Sequence, residues 1–186
     1  MDKISDDNNL LKYFTMRHLL LLSSLNGVDF KAGMIARVLF ENKFDKAGEP
    51  YIFHLIRVSE RLNEPIEKVA GMLHDVLEDT DVTEKDLLEI GIPLEVIEII
   101  KLVTHDKIDK SNMTKSEKLE LYNKDIDKII NSGNIHAIRL KEADMSDNYN
   151  LERLKKLPQD KQEWFHEKYG KQLIKLRKVK GEMNIW

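Results

Sequence analysis

Four side chains capable of metal binding or acid–base chemistry lie within one short segment of this chain. Residues 71–80 read GMLHDVLEDT, in which the adjacent pair His74 and Asp75 is followed one helical turn later by Glu78 and Asp79. On a helix, residues three and four positions apart share a face, so these side chains can surround one point. Three carboxylates at one point repel one another unless a cation is present, and imidazole with carboxylate binds divalent transition metals well. The segment therefore predicts a metal-dependent hydrolase.

Two further segments supply side chains of the same chemistry. Residues 48–54, GEPYIFH, place a second histidine, His54, near a helix start. Residues 141–148, KEADMSDN, place Asp144 one turn before Asn148. Two imidazoles and two carboxylates would neutralise a divalent cation, and an octahedral ion held by four side chains keeps positions for water and substrate. The predicted ligand set is His54, His74, Asp75 and Asp144. The other histidines, at positions 18, 105, 136 and 166, match no ligand position.

The order of these motifs, H…HD…D, resembles that of the HD hydrolase superfamily. The fuller pattern GEPYIFH, GMLHDVLEDTDVT and KEADMSDN resembles the (p)ppGpp hydrolase domain of RelA/SpoT enzymes, above all their short single-domain relatives, the small alarmone hydrolases. The resemblance covers roughly residues 30–155. It implies a single HD domain over residues 1–186, with N- and C-terminal helices packed on the motif-bearing core, and no alarmone synthetase.

The resemblance also implies roles for individual side chains. Glu78 and Asp79 would orient and deprotonate the attacking water, which agrees with the general chemistry of a metal that acidifies water beside a carboxylate. The ordinary alternative for this pair is a solvated, acidic helix end. Lys46 occupies the loop where the family carries a basic nucleotide contact, and Asn148 the position beside the bound nucleotide. The predicted substrate contacts are Lys46, Asn148, Lys141 and Arg57, although lysine and arginine more commonly cover a helix face.

Two departures from the family pattern bear on recognition of the base. The loop before GEPY usually carries arginine followed by lysine, and that arginine packs on the guanine, whereas this chain has Asp45 and Lys46. The closing motif usually reads ADRLHN, whereas this chain has Met145 and Asp147 in place of the arginine and the histidine. Loss of the stacking arginine removes a cation–π contact, and Asp45 adds a negative charge near an anionic ligand. The catalytic residues are retained, and we expect guanine preference to be weakened.

Composition narrows the class of protein. A chain of 186 residues with 41% hydrophobic residues suits one domain with a proper core. A net charge of -3 argues against a general nucleic-acid binder, which would usually be basic. The absence of cysteine excludes disulfides, thiolate zinc sites and a cysteine nucleophile. The apolar run at 19–22 is too short to cross a membrane and the N-terminus lacks a basic signal, so we expect a soluble, cytoplasmic protein.

Nearly the whole chain shows helical periodicity, with apolar residues at three- and four-residue spacing and little strand alternation. The expected fold class is therefore all-α, a helical bundle. Helices are expected at about 8–25, 31–43 and 159–180, with others beginning near Pro50 and Pro65. A capping residue followed three positions later by an acid predicts two more helix starts. These starts are Thr83 with Asp86 and Thr114 with Glu117.

The function that these observations favour is a pyrophosphohydrolase that depends on Mn²⁺, or on another divalent transition metal, and removes the 3′-diphosphate from (p)ppGpp-like nucleotides. One alternative is a related HD phosphohydrolase that acts on adenine alarmones, NADPH or nucleotide monophosphates. A second is a non-catalytic nucleotide-sensing module, which loss of Glu78 or Asp79 would favour, yet both are present. The expected partner is a small nucleotide, with neither nucleic acid nor a membrane involved. The sequence leaves the oligomeric state open.

Overall fold

The computed structural model describes residues 27–106 and 108–183, and every regular element within these ranges is a helix. The prediction of an all-α fold is confirmed. The helix expected at about 8–25 lies outside the described residues. The described helices are α1 (Val28–Leu39), α2 (Ile52–Glu60), α3 (Pro65–Leu73), α4 (Val76–Asp79), α5 (Glu84–Glu89), α6 (Leu94–Val103), α7 (Lys115–Asn131), α8 (Ile135–Asn148), α9 (Leu151–Leu154) and α10 (Gln159–Met183).

Several helix starts lie where the sequence predicts them. Pro65 occupies the first turn of α3. Thr83 and Thr114 each accept a hydrogen bond from the backbone N–H three residues on, and the acid at that position returns a bond to the cap. These reciprocal bonds satisfy N–H groups that a helix start would otherwise leave without partners.

Helix α3 lies at the centre of the fold and packs against α1, α2, α6 and α8. It crosses α2 closely because Gly71 has no side chain. A Cβ atom at this position would lie 2.9 Å from the Cα of Ser59 in α2, a separation that real Cβ atoms essentially never show. The close crossing brings His54 of α2 beside His74 at the end of α3, with 5.3 Å between the ring centroids.

The structure corrects one expectation about the segment 71–80. The His74–Asp75 pair and the Glu78–Asp79 pair do not share a continuous helix, because α3 ends at Leu73 and α4 begins at Val76. His74 is the C-cap of α3, and Asp75 is the N-cap of α4 with φ −93° and ψ −2°. The turn between the helices carries the His74–Asp75 pair.

A buried ion-pair network ties α3 to α8. Glu67 of α3 is 1% exposed, and its carboxylate accepts hydrogen bonds from His136 at 2.8 Å and Arg139 at 3.0 Å. Burial alone would raise the pKa of Glu67, but these two bonds outweigh it and the pKa is lowered. Helix α8, which carries Asp144, is thereby held against the helix that carries His74.

Within the described ranges, none of the helices has both the length and the apolar character needed to cross a lipid bilayer.

Candidate metal and nucleotide site

The structure brings together all four side chains predicted as metal ligands. The Nε2 atom of His54 lies 3.5 Å from Oδ1 of Asp144 and 3.7 Å from Oδ2 of Asp75. The Nε2 atom of His74 lies 3.1 Å from Oδ2 of Asp75 and 3.7 Å from Oδ1 of Asp144. Ligand atoms that bind one ion at about 2.0–2.2 Å must lie within a few ångströms of one another. One ligand atom each of His54, His74 and Asp75 lies within 4.8 Å of the others, and Asp144 adjoins both histidines.

Each histidine has its second ring nitrogen occupied by a hydrogen bond that determines the tautomer. Nδ1 of His74 lies 2.8 Å from the carbonyl oxygen of Gly71, which can only accept, so Nδ1 is the donor. Nδ1 of His54 lies 2.8 Å from a carboxylate oxygen of Asp147 and is likewise the donor. In the neutral imidazoles, both Nε2 atoms therefore carry lone pairs, and both lie beside the same two carboxylate oxygens, Oδ2 of Asp75 and Oδ1 of Asp144.

The electrostatics of the cluster are those of a cation site. Nε2 of His74 is buried and has no hydrogen-bond partner in the described residues, because its contact with Asp75 lacks hydrogen-bond geometry. Burial alone would lower the pKa of both imidazoles, but the surrounding carboxylates outweigh it and raise both pKa values, that of His74 well above its usual range. The cluster therefore has excess negative charge, and a divalent cation bound at the two Nε2 atoms would neutralise it.

Asp147 joins His54 to several arginines, although the sequence marks it only as a departure from the family pattern. It is fully buried, and besides His54 it binds the side chains of Arg57, Arg61 and Arg153. Burial alone would raise its pKa, but these partners, His54 and Arg57 foremost, hold the pKa far below the usual range. The spacing contains a signal, since Asp147 lies three residues after Asp144 and so faces the same side of α8.

These contacts revise the interpretation of Arg57, which is predicted above to bind substrate. Its guanidinium donates to both carboxylate oxygens of Asp147, at 2.8 and 3.1 Å, and lies 3.4 Å from Glu49. Its side chain is not part of the cavity lining. The structure therefore places Arg57 behind the site, where it orients the partner of His54.

A cavity of about 360 Å³ opens beside the four predicted ligands. Part of its lining is acidic and consists of Asp75, Glu78, Asp79 and Asp144. The remaining lining contains cations and aromatic rings, among them Lys46, Lys141, Arg153, Lys168, Tyr122, Phe165 and Tyr169. A cavity that combines acidic metal-binding groups with cations and ring faces suits a phosphorylated nucleotide.

The two predicted acid–base residues both face this cavity. Glu78 is half-buried, and burial together with the charge of Asp75 raises its pKa. Asp79 is more exposed, and partial desolvation and Asp75 raise its pKa as well. A carboxylate with a raised pKa is a better proton acceptor at neutral pH than an ordinary one. The position and the pKa direction of both residues suit proton transfer.

The other predicted substrate contacts also line the cavity, but two of them bind Asp144. The Nζ of Lys141 lies 3.1 Å from Oδ2 of Asp144, and the amide of Asn148 donates to Oδ1 at 2.5 Å. Lys141 and Asn148 therefore orient Asp144 in addition to facing the ligand space. Lys46 projects over the ring of Phe165, with 4.9 Å between Nζ and the ring centroid.

The negative charge that Asp45 adds to the loop is paired within the structure. One of its carboxylate oxygens accepts backbone hydrogen bonds from Ala47 at 2.8 Å and Glu49 at 3.0 Å, which close the loop. The other oxygen forms an ion pair with Arg153. The negative charge at position 45 is thus neutralised by a cation from α9, a contact between distant parts of the chain that sequence spacing does not reveal.

Comparison with known proteins places this site in context. No protein-family model matches the chain. The chain is 36% identical over 139 residues to a probable guanosine-3′,5′-bis(diphosphate) 3′-pyrophosphohydrolase of Mycoplasma genitalium, which covers 71% of this chain and 19% of the relative. It is 34% identical over 132 residues to the guanosine-3′,5′-bis(diphosphate) 3′-pyrophosphohydrolase of Haemophilus influenzae. That match covers 69% of this chain and 19% of the relative. The chain thus spans about a fifth of the length of these curated relatives.

The fold also matches a solved structure. The protein in that solved structure is described as a metazoan ortholog of SpoT that hydrolyzes ppGpp and plays a role in starvation responses. The superposition has a TM-score of 0.59 at 20% sequence identity and covers 87% of this chain and 98% of the other. The two chains therefore share a fold over most of this chain and nearly all of the other.

Proposed function

We propose that this chain, by sequence a relative of the bacterial guanosine-3′,5′-bis(diphosphate) 3′-pyrophosphohydrolases, removes the 3′-diphosphate from (p)ppGpp-like nucleotides in a metal-dependent reaction. One observation carries the proposal. Two buried histidines, each with its Nδ1 bound elsewhere, direct their Nε2 atoms at two carboxylates on the edge of a cavity lined by lysines. The names of the relatives support the substrate class, and the shared core of the described helices supports a single-domain organisation.

The residues present fit a divalent transition metal. His54, His74, Asp75 and Asp144 would hold it, with Mn²⁺ the proposed ion. When bound, such an ion supplies Lewis acidity to the phosphoryl oxygens and acidifies water. The hydrogen bonds that His54 donates to Asp147 and that His74 donates to the carbonyl oxygen of Gly71 keep the rings in the tautomer that leaves both Nε2 atoms available.

The side chains of this protein then divide the remaining work. Glu78 or Asp79 removes a proton from the water that attacks the phosphorus bonded to the ribose 3′-oxygen. The bond between that phosphorus and the 3′-oxygen breaks, and the proton is available to the departing 3′-oxygen. The products are pyrophosphate and the nucleoside 5′-diphosphate. Lys46 and Lys141 offset the negative charge of the phosphates throughout.

A second candidate substrate class follows from the loop at residues 44–50. The cation–π contact that the family makes from this loop is absent here, because Asp45 occupies the position and is paired with Arg153. This observation favours weaker discrimination between guanine and adenine alarmones, and it keeps NADPH and nucleotide monophosphates as alternatives. A sensing module without catalysis is less well supported, since both Glu78 and Asp79 face the cavity.

The decisive experiment is a substrate panel with purified protein and Mn²⁺. It compares ppGpp, its adenine counterpart, NADPH and guanosine monophosphates, with products separated by chromatography. We expect pyrophosphate from the bis-diphosphates, loss of turnover after chelation, and its return when Mn²⁺ is added. Turnover that survives chelation, or cleavage of the 5′-diphosphate instead of the 3′-diphosphate, would contradict the proposal.

We expect His74→Ala to reduce bound metal from about one ion per chain to less than half, because one buried nitrogen ligand is lost. Elemental analysis of the purified proteins measures this. His166→Ala is the matched control, since His166 is exposed and contacts Tyr149 outside the site. Equal metal content in all three proteins would remove His74 from the ligand set.

We expect Asp45→Arg to raise the Michaelis constant roughly three- to tenfold for guanine and adenine alarmones alike. The substitution removes the two hydrogen bonds that the Asp45 carboxylate accepts from the loop backbone, each contributing about 0.5–1.5 kcal/mol, and places an arginine against Arg153. The measurement is steady-state kinetics on both substrates. A Michaelis constant that falls selectively for ppGpp would instead favour the stacking role inferred from the sequence alone.

A further inference from the structure

One cation of the cavity, Lys168, lies outside the sequence motifs, and it shares an aromatic surface with Lys46 and Lys141, which the sequence predicts as substrate contacts. Lys168, on α10, is half-buried, and its Nζ lies 4.4 Å from the ring centroid of Tyr122 and 4.9 Å from that of Tyr169. Lys141 reaches the same Tyr122 ring at 5.9 Å. Lys46 approaches from the loop over Phe165. Three lysines from three separate elements thus share one aromatic surface.

These lysines differ in whether their charge is already neutralised. Lys141 forms an ion pair with Asp144. Among the described residues, no carboxylate lies within ion-pair distance of Lys168 or Lys46. Aromatic faces attract a cation only moderately, so they do not replace a counter-ion. Two lysines therefore face the cavity with their positive charge available to a ligand.

The protein tolerates repulsion to keep Lys168 in this place. Burial and then the charges of Lys141 and Lys46 lower the pKa of Lys168 to about 8, although Asp144 and Glu78 oppose the shift. At neutral pH the ammonium form still predominates. An anion bound between these lysines would relieve the repulsion and favour the charged form further.

Two of the proposed metal ligands, Asp75 and Asp144, line the same cavity as Lys168 and Lys46, so one ligand with several phosphate groups can contact the metal site and these lysines together. An ammonium group is a compact charge with three donors and no fixed plane, which suits a phosphate approached from several directions. Surface lysines are ordinarily solvated, but Lys168 is half-buried on aromatic rings and directed into a cavity. These properties define a binding group for phosphate.

We propose that Lys168, together with Lys46, forms an anion subsite that binds a phosphate group of the nucleotide not held by the metal. The identity of the nucleotide rests on the proposed function, whereas the subsite rests on the lysines and the cavity. Two phosphate groups have the required chemistry: the outer phosphate of the 3′-diphosphate, and the 5′-diphosphate. They end up in different products, pyrophosphate and guanosine 5′-diphosphate, and can therefore be tested separately.

Isothermal titration of the metal-loaded protein with each product tests the subsite without requiring turnover. We expect Lys168→Gln to weaken binding of one product roughly tenfold or more, as loss of a charge-assisted hydrogen bond does. Lys168→Met, which keeps the aliphatic stem on the two tyrosines, should behave the same way, and Lys168→Arg should retain most of the affinity. Lys171→Gln is the matched control, because Lys171 is exposed on the same helix and lies outside this cavity.

The product whose affinity falls identifies the phosphate group. Weaker pyrophosphate binding assigns the outer phosphate of the 3′-diphosphate, and weaker guanosine 5′-diphosphate binding assigns the 5′-diphosphate. Unchanged affinity for both products in Lys168→Gln and Lys168→Met overturns the subsite, and so does an equal loss in Lys171→Gln, which would indicate general charge attraction. A wild-type protein that binds products through Lys168 yet hydrolyses no alarmone keeps the subsite and contradicts the proposed function. The reverse outcome, hydrolysis with no effect of Lys168, overturns the subsite alone.

Discussion

Glu78→Gln and Asp79→Asn are each expected to lower turnover of the alarmone roughly 10²- to 10⁴-fold while leaving bound metal unchanged. A carboxamide keeps the size of the side chain but accepts no proton at neutral pH. Both carboxylates face the cavity, and both have raised pKa values that suit them to receive a proton. The measurement pairs single-turnover kinetics with elemental analysis of the same preparations.

The control for this pair is Glu84→Gln, which alters an exposed carboxylate at the start of α5 that forms an ion pair with Lys101. It should leave both turnover and metal content as in the wild type. If the two single variants and the double variant all kept full activity, the pair would be no more than an acidic helix end. If either variant lost its metal, that residue would belong with the ligands and not with the proton-transfer groups.

Asp147→Asn is expected to have the second-largest effect, because one substitution changes both the site and its support. Partners that orient a metal-binding histidine typically contribute 10- to 100-fold in metal affinity, and we expect a loss of roughly that size. The amide also places N–H donors against the guanidinium groups of Arg57 and Arg153, which would lose a shared counter-ion. Because those arginines are partly exposed, we expect about 2–3 kcal/mol of lost folding stability, at the lower end for a broken buried pair.

Metal titration of the apo-protein and urea denaturation separate the two effects of Asp147→Asn. Asp127→Asn is the matched control, since Asp127 lies on α7 and is ion-paired with Lys175 away from the cavity. Wild-type metal affinity in a destabilised Asp147→Asn protein would restrict Asp147 to a structural role. Unchanged stability with unchanged affinity would show that the arginines and His54 find other partners.

The residues that the sequence identified correctly as neighbours lie in short motifs with recognisable residue types and spacing. The convergence of the four predicted ligands could be predicted because each belongs to a short motif whose residue types indicate metal binding. These ligands are His54, His74, Asp75 and Asp144. The turn between α3 and α4 was not predicted, since residues 71–80 contain no glycine or proline after the first position to break the helical pattern. Local periodicity continues through His74, whereas in the structure the helix ends at Leu73 and His74 is its C-cap.

The contacts that sequence reasoning missed connect parts of the chain far apart in sequence. Arg153 meets Asp45 across 108 positions, and Arg57 meets Asp147 across 90. Lys168 lies on the last described helix, outside every motif, and no spacing rule links it to the cavity. Charged residues of this kind are usually solvated surface groups, so only the three-dimensional structure separates them from the many others in a chain that is 34% charged.

The distance between His54 and His74 depends on the absence of a Cβ atom at Gly71. At Gly71, α3 lies so close to α2 that even a methyl side chain would contact the backbone of Ser59. Backbone atoms cannot rotate away as a side chain can, so the helices themselves would have to move. Larger and smaller core residues elsewhere can exchange volume with their neighbours over evolutionary time. Position 71 has no neighbour able to make that exchange. Any residue other than glycine at position 71 would therefore force α2 and α3 apart and change the spacing of His54 and His74.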